Sequence, residues 1–146
     1  ARSFVKDTAK KLGATPPTAA RLSEVSALLQ LMRAQVRERA QYYDQLKRKI
    51  ETTGTRNFPE RQGQKLYGAL TMIVTVDARG KVLSTEVVES SGQADLDRRA
   101  QAIANQAGPF GPFTPAMRRE ADQLALVSRF IFSRDGDVLQ TRLTGP

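Results

Sequence analysis

Residues 66–76 read LYGALTMIVTV, the one run apolar enough to be buried on both faces. Leu70, Met72, Val74 and Val76 alternate with Thr71, Ile73 and Thr75, and β-branched residues dominate, so the pattern predicts a central strand at 66–76. Asp77-Ala78-Arg79-Gly80 then gives a hairpin signal, with Gly80 suited to the positive φ of a tight turn. Residues 81–89 (KVLSTEVVE) return as a second strand. After Ser90-Ser91-Gly92 the period changes to a helical one. Leu96, Ala100, Ile103, Ala104 and Ala107 form a stripe, Asp95 and Asp97 suit the positive end of a helix dipole, and Gly108-Pro109 is a stop, which predicts a helix over 95–107. Residues 108–115 (GPFGPFTP) hold too much proline for regular structure, so Phe110 and Phe113 are expected to fold back as plugs over the edge of the core. Leu124, Leu126, Phe130 and Phe132 alternate against Val127, Arg129 and Ile131 in a third strand, 124–133. Asp135-Gly136 marks a turn, and a short fourth strand at 138–143 is left open.

Upstream the spacing differs. Leu22, Leu29, Val36, Tyr43 and Ile50 recur every seven residues, with Val25, Met32 and Leu46 between them, so residues 18–53 read as a long basic amphipathic helix. Arg39 interrupts this seam. Arg33, Lys47 and Lys49 flank it without the opposite charges of a dedicated zipper. One long helix, two helices meeting near Arg39, and a self-associating coiled coil that makes a homodimer all stay open. Gly54 is expected to end the helix as its C′ residue. Pro59 with Glu60 reads as the start of a short helical turn over 59–65. Residues 1–17, which end in Ala-Thr-Pro-Pro, read as a flexible lead-in, leaving 54–146 as the folded domain.

The predicted order is helix, strand, strand, helix, strand and an optional last strand. This is an α+β fold with a three- or four-stranded antiparallel-type sheet, one covering helix and a long N-terminal helix. If the second and third strands flank the first, the helix joining them covers a single face. The third strand is then an edge, unless the fourth pairs with it.

Charge adds a division of the chain. Residues 1–65 carry 14 Lys+Arg against 6 Asp+Glu, whereas 66–146 carry 9 against 9, so the whole net charge of +8 sits in the first part. That part suits attraction to an anionic surface such as peptidoglycan or a membrane. Nucleic acid is not the expected partner. Phe110, Phe113, Phe130 and Phe132 fall in the neutral half, away from the basic residues with which a single-strand reader interleaves its aromatics.

Catalytic chemistry finds little to use. The chain contains no Cys and no His, which removes thiol and imidazole chemistry, disulfides and nearly all zinc sites. Asp77, Asp135 and Asp137 fall in turns, and Ser90 and Ser91 have no base beside them. The Gly63–Gly68 spacing lacks the Lys-Ser/Thr of a phosphate loop. No enzyme, cofactor or metal is expected. No run approaches the length of a membrane span, and a chain opening at Ala1 suggests an N-terminal anchor upstream.

Several short motifs keep a common order: NFPE at 57–60, LYG at 66–68, ESSG at 89–92, LD at 96–97, and PFGPFTP at 109–115 ahead of a D-x-L-x-L-x-x-x-F-x-F strand from Asp122. Over roughly residues 42–134 this set resembles the C-terminal domain of TonB-family energy transducers. TolA-type domains share a similar architecture. The resemblance implies a periplasmic domain, tethered to the inner membrane by an N-terminal anchor and driven by an ExbB/ExbD-type motor. It also implies a partner, the extended TonB-box peptide of TonB-dependent outer-membrane transporters, bound by strand addition. The family's contact positions fall here on Phe58 and Pro59 and on Leu124, Ala125, Leu126, Val127, Ser128, Arg129, Phe130, Ile131 and Phe132. Phe58 stands where the family has Tyr, keeping the ring without the hydroxyl. The alternatives are an envelope-bridging, TolA-like protein without transduction, or a module that binds anions or cell wall. The family's Pro-rich spacer is replaced here by the basic helix. A strand at 138–143 would cover the edge the peptide needs.

Overall fold

The computed structural model describes residues 19–143. The expected lead-in at 1–17 lies outside them. Helix α1 (Ala19–Arg56) is followed by β1 (Glu60–Arg61), β2 (Gln64–Lys65), β3 (Gly68–Asp77), β4 (Val82–Glu89), α2 (Ala94–Ala107), α3 (Pro115–Glu120), β5 (Gln123–Ser133) and β6 (Val138–Leu143). Two compact units divide this chain, one ending at Val36 and the other beginning at Arg37.

In the second unit β3 to β6 form one antiparallel sheet in the order β4-β3-β5-β6. The α2 crossover joins β4 to β5 on either side of β3, as the order of elements predicts. Leu70, Met72, Val74 and Val76 of β3 are fully buried, together with Leu126, Phe130 and Phe132 of β5 and Leu139 of β6. On the same core lie Tyr42, Leu46 and Ile50 of α1, Leu96, Ala100, Ile103, Ala104 and Ala107 of α2, and the plugs Phe110 and Phe113. The helices share one side of the sheet. The other side of β3 is less enclosed than the sequence suggests: Thr71 is buried, but Ile73 and Thr75 are only half-buried.

Three boundaries depart from the sequence reading. Helix α1 runs through Gly54 to Arg56, and Asn57 N–H still donates to the Thr53 carbonyl at 2.9 Å. Glycine within a helix costs about 1 kcal/mol relative to alanine, and here packing outweighs that cost, because a methyl group on Gly54 would run into the Leu139 side chain of β6. Residues 59–65 form no helical turn. They make the hairpin β1–β2, with Gln62 and Gly63 at φ 53° and 79° in the turn and Leu66 N–H donating to the Pro59 carbonyl at 2.9 Å. Paired positive φ values favour such a two-residue hairpin over a helix start. Finally, Thr114 caps α3 by accepting from Met117 N–H at 3.2 Å, with Pro115 at the first helical position.

The heptad seam also changes character along α1. From Tyr42 the buried positions are 42, 46 and 50, a four-residue step in place of the expected 43, 46 and 50, and the Tyr42 ring meets Phe113 edge-on at 5.2 Å. Arg39, the interruption in the seam, pairs with Glu120 of α3, and Glu38 accepts from the Thr114 hydroxyl at 2.7 Å. In the first unit Leu22, Val25, Leu29, Met32 and Val36 are exposed.

Candidate functional site

The expected contact residues fall on β5 and on the segment leading into β1. Strand β5 pairs with β3 along its length, from Gly68↔Phe132 to Asp77↔Gln123. On its other side β6 pairs from Ser128↔Leu143 to Ser133↔Val138. The row between Ser128 and Phe132 therefore has a strand on each side, and β5 is not the edge of this sheet. The sequence left this arrangement open through the fourth strand. Strand β6 forms because Asp135-Gly136-Asp137 turns the chain, with φ 82° at Gly136 and 52° at Asp137, and because Leu139 and Thr141 are buried against α1.

The side chains of β5 divide by parity. Leu126, Ser128, Phe130 and Phe132 are buried, Leu124, Val127, Arg129 and Ile131 half-buried, and Ala125 exposed. Arg129 reaches across the more open face to donate to Thr71 Oγ1 at 3.1 Å and lies 3.5 Å from Glu89. Ser128 Oγ is buried with no hydrogen-bond partner, an unusual state for a core hydroxyl.

Phe58 and Pro59 are buried, so both belong to the support of the site. The Phe58 ring meets Phe132 edge-on at 5.7 Å and Tyr67 at the same distance, which brings this segment against the last part of β5. Over that aromatic group sits a polar cluster the sequence did not single out. Tyr67 O–H donates to Asp137 Oδ1 at 2.7 Å, Lys65 Nζ to Asp137 Oδ2 at 3.1 Å, and the Arg134 guanidinium lies 4.4 Å from the Tyr67 ring centroid. The Tyr67 hydroxyl, and after it Lys65, hold the Asp137 carboxyl below its ordinary range, and the same bonds raise Tyr67 and Lys65. These bonds tie the β5–β6 turn to the start of β3. The legible signal was LYG followed, after the third strand, by Asp-Gly-Asp, but nothing in their separation along the chain placed the two together.

The far side of β6 is closed by α1. Leu139 N–H donates to Thr55 Oγ1 at 3.2 Å and Thr141 N–H to Glu51 Oε2 at 2.7 Å. Those two amides would otherwise be open edge groups. Two basic residues read as an anion-attracting surface are engaged elsewhere: Lys47 lies 4.0 Å from Glu51, and Lys49 Nζ is 3.3 Å from the Pro109 carbonyl. Among the described residues no group of acidic side chains is arranged to hold a metal ion, and no helix is long and apolar enough to cross a membrane.

The family model for the Gram-negative bacterial TonB protein C-terminal domain matches residues 56–134, more than half of the chain. No curated protein and no solved structure gives a match.

Proposed function

The chain belongs to the TonB C-terminal family, and from that premise we propose that it acts as a periplasmic, non-enzymatic transducer domain, taking the extended TonB-box segment of an outer-membrane transporter as an added strand on β5. The observation that carries this reading is the asymmetry of the two neighbours of β5. On one side β3 pairs across ten residue positions; on the other β6 pairs across only six. The guest takes the place of β6 along Ser128, Arg129, Phe130, Ile131 and Phe132 and extends toward Leu124. Main-chain hydrogen bonds supply most of the affinity, so the pairing tolerates many sequences. Phe58 and Pro59 serve from below, keeping Phe132 and the end of β5 in place. The energy is supplied through an inner-membrane anchor and an ExbB/ExbD-type motor.

The exchange makes apparent affinity depend on how often β6 is undocked, since a site that is open a fraction of the time binds correspondingly more weakly. Peptides from the N-termini of outer-membrane transporters, titrated into isotope-labelled protein, should shift the amide signals of β5 and release those of β6. Removing residues 137–146 should tighten binding, by about tenfold for each 1.4 kcal/mol that docked β6 contributes. A peptide that binds equally well with and without those residues, leaving β5 unmoved, would refute the exchange.

A second reading, an envelope-bridging domain without transduction, draws on the closure of β6 by Glu51 and Thr55. It predicts that transporter peptides leave β5 and β6 signals in place. The same titration separates the two.

A further inference from the structure

The first unit carries an apolar face that the peptide-exchange reading does not use. Leu22, Val25, Leu28, Leu29, Leu31, Met32 and Val36 are each between 47% and 67% exposed. Five of them, Leu22, Val25, Leu29, Met32 and Val36, keep the alternating three- and four-residue step of a heptad repeat and fall within an arc of about 80° on a helix of 3.6 residues per turn. Leu28 widens the stripe on one side and Arg33 bounds it on the other, while Leu31 lies off it, toward the opposite side. The next seam position is Arg39, whose side chain pairs with Glu120, so the repeat ends there.

We infer that this face is a self-association surface, on which the 22–36 segment of a second copy of the chain packs as a short coiled coil. Three observations choose a second copy over other occupants. A strict seven-residue repeat is complementary to itself, because the same residues on two helices interdigitate. Away from the stripe, residues 19–36 present Ser23, Ser26, Ala27, Gln30, Leu31 and Ala34, and the segment's only charges are Arg21, Glu24 and Arg33, so it lacks the Lys/Arg-rich flank of a helix that lies on anionic lipid. Burying the six side chains of this stripe on each of two copies removes roughly 1,000 Å², at the threshold of a specific interface. An interface of that size gives a reversible association, and pairing also supports a segment whose helicity in isolation would be marginal.

The experiment is sedimentation equilibrium of the whole chain from low to high micromolar concentration, beside Leu29→Glu/Met32→Glu. Both side chains are exposed in the single copy, so circular dichroism should show the variant folded. The expected result is a concentration-dependent mass of two or more copies for the parent, with dissociation at least tenfold easier in the variant. Because the chain has no cysteine, Leu29→Cys and Ala34→Cys give a second readout. Position 29 is the middle of the seam, so it should oxidise readily to a disulfide-linked dimer, whereas position 34, on the far side, should not. A monomer throughout, association that persists unchanged in the double variant, or equal cross-linking at both positions would overturn the inference. So would a monomer that instead sediments with anionic vesicles through the same residues.

Discussion

Gly54 and Leu139 show how one missing methyl group fixes a contact between elements far apart in the chain. On helix propensity alone, Gly54→Ala should stabilise α1 by about 1 kcal/mol. The Leu139 side chain occupies the space of the new methyl, so a net loss of about 1–3 kcal/mol is expected, as for other overpacked cores. Urea unfolding of the variant measures it, and adding Leu139→Ala should recover part of the first loss. A net gain from Gly54→Ala alone would show that the helix and β6 separate easily. Ser128 is the reverse case. Its buried hydroxyl has no partner, so Ser128→Ala removes an uncompensated polar group, and a gain of up to about 1 kcal/mol in the same measurement is expected. The clash at Gly54 was not legible beforehand, and of Ser128 only the face was, through its parity with Leu126 and Phe130, not the want of a partner there. A glycine after a long helix reads as a stop because local rules say nothing about what packs on it, and alternation says which face a serine takes but not whether a partner waits for its hydroxyl.

At the scale of elements, alternation and period carried the reading a long way. Three strands of the sheet, two of the three helices and the single covered side of the sheet follow from where apolar residues repeat: in the heptads of residues 18–53, in LYGALTMIVTV, in residues 81–89, behind Asp95 and in the phenylalanine-rich third strand. What was lost had a common physical cause. The β1–β2 hairpin has charged and polar residues at 60–65 and offers no hydrophobic period, while α3 is announced only by Thr114-Pro115 at the end of a proline-rich run. The neighbour of β5 was undecided because strand pairing is settled by tertiary packing, here Leu139 and Thr141 against α1.

The β5–β6 turn yields a pH prediction on the same scale. Asp137 has its folded pKa depressed by the Tyr67 hydroxyl and Lys65, so its contribution is present above the ordinary carboxylate value and is lost as pH falls through the depressed one. The cluster is exposed, so the effect on global stability is small. It should appear locally, as lower amide protection at the turn in acid once exchange is corrected for its intrinsic rate, and Asp137→Asn should flatten that dependence. An equal acid response in the variant would assign it elsewhere.

For the whole molecule, the buried core begins at Tyr42, and every residue in it lies in the unit that starts at Arg37. Removing residues 1–36 is therefore expected to leave the thermal midpoint of the remainder close to that of the full chain. A drop of more than about 5 °C, roughly 1 kcal/mol for a domain of this size, would show that residues before Arg37 contribute to that core. The division also separates two kinds of apolar surface. One is consumed in folding, on residues 42–143, and the other is left available, on residues 22–36. Net charge separates less cleanly, because some of the basic residues of α1 are committed to ion pairs or carbonyls within the second unit.

Glu51 and Thr55 give α1 a mechanical grip on β6. A pull along residues 37–56 reaches the amides of Thr141 and Leu139 through these two side chains, whereas β5 is held to β3 across ten residue positions. Under the strand-exchange proposal, load on the helix that loosens these two bonds should lower the work of clearing β5 for a guest strand.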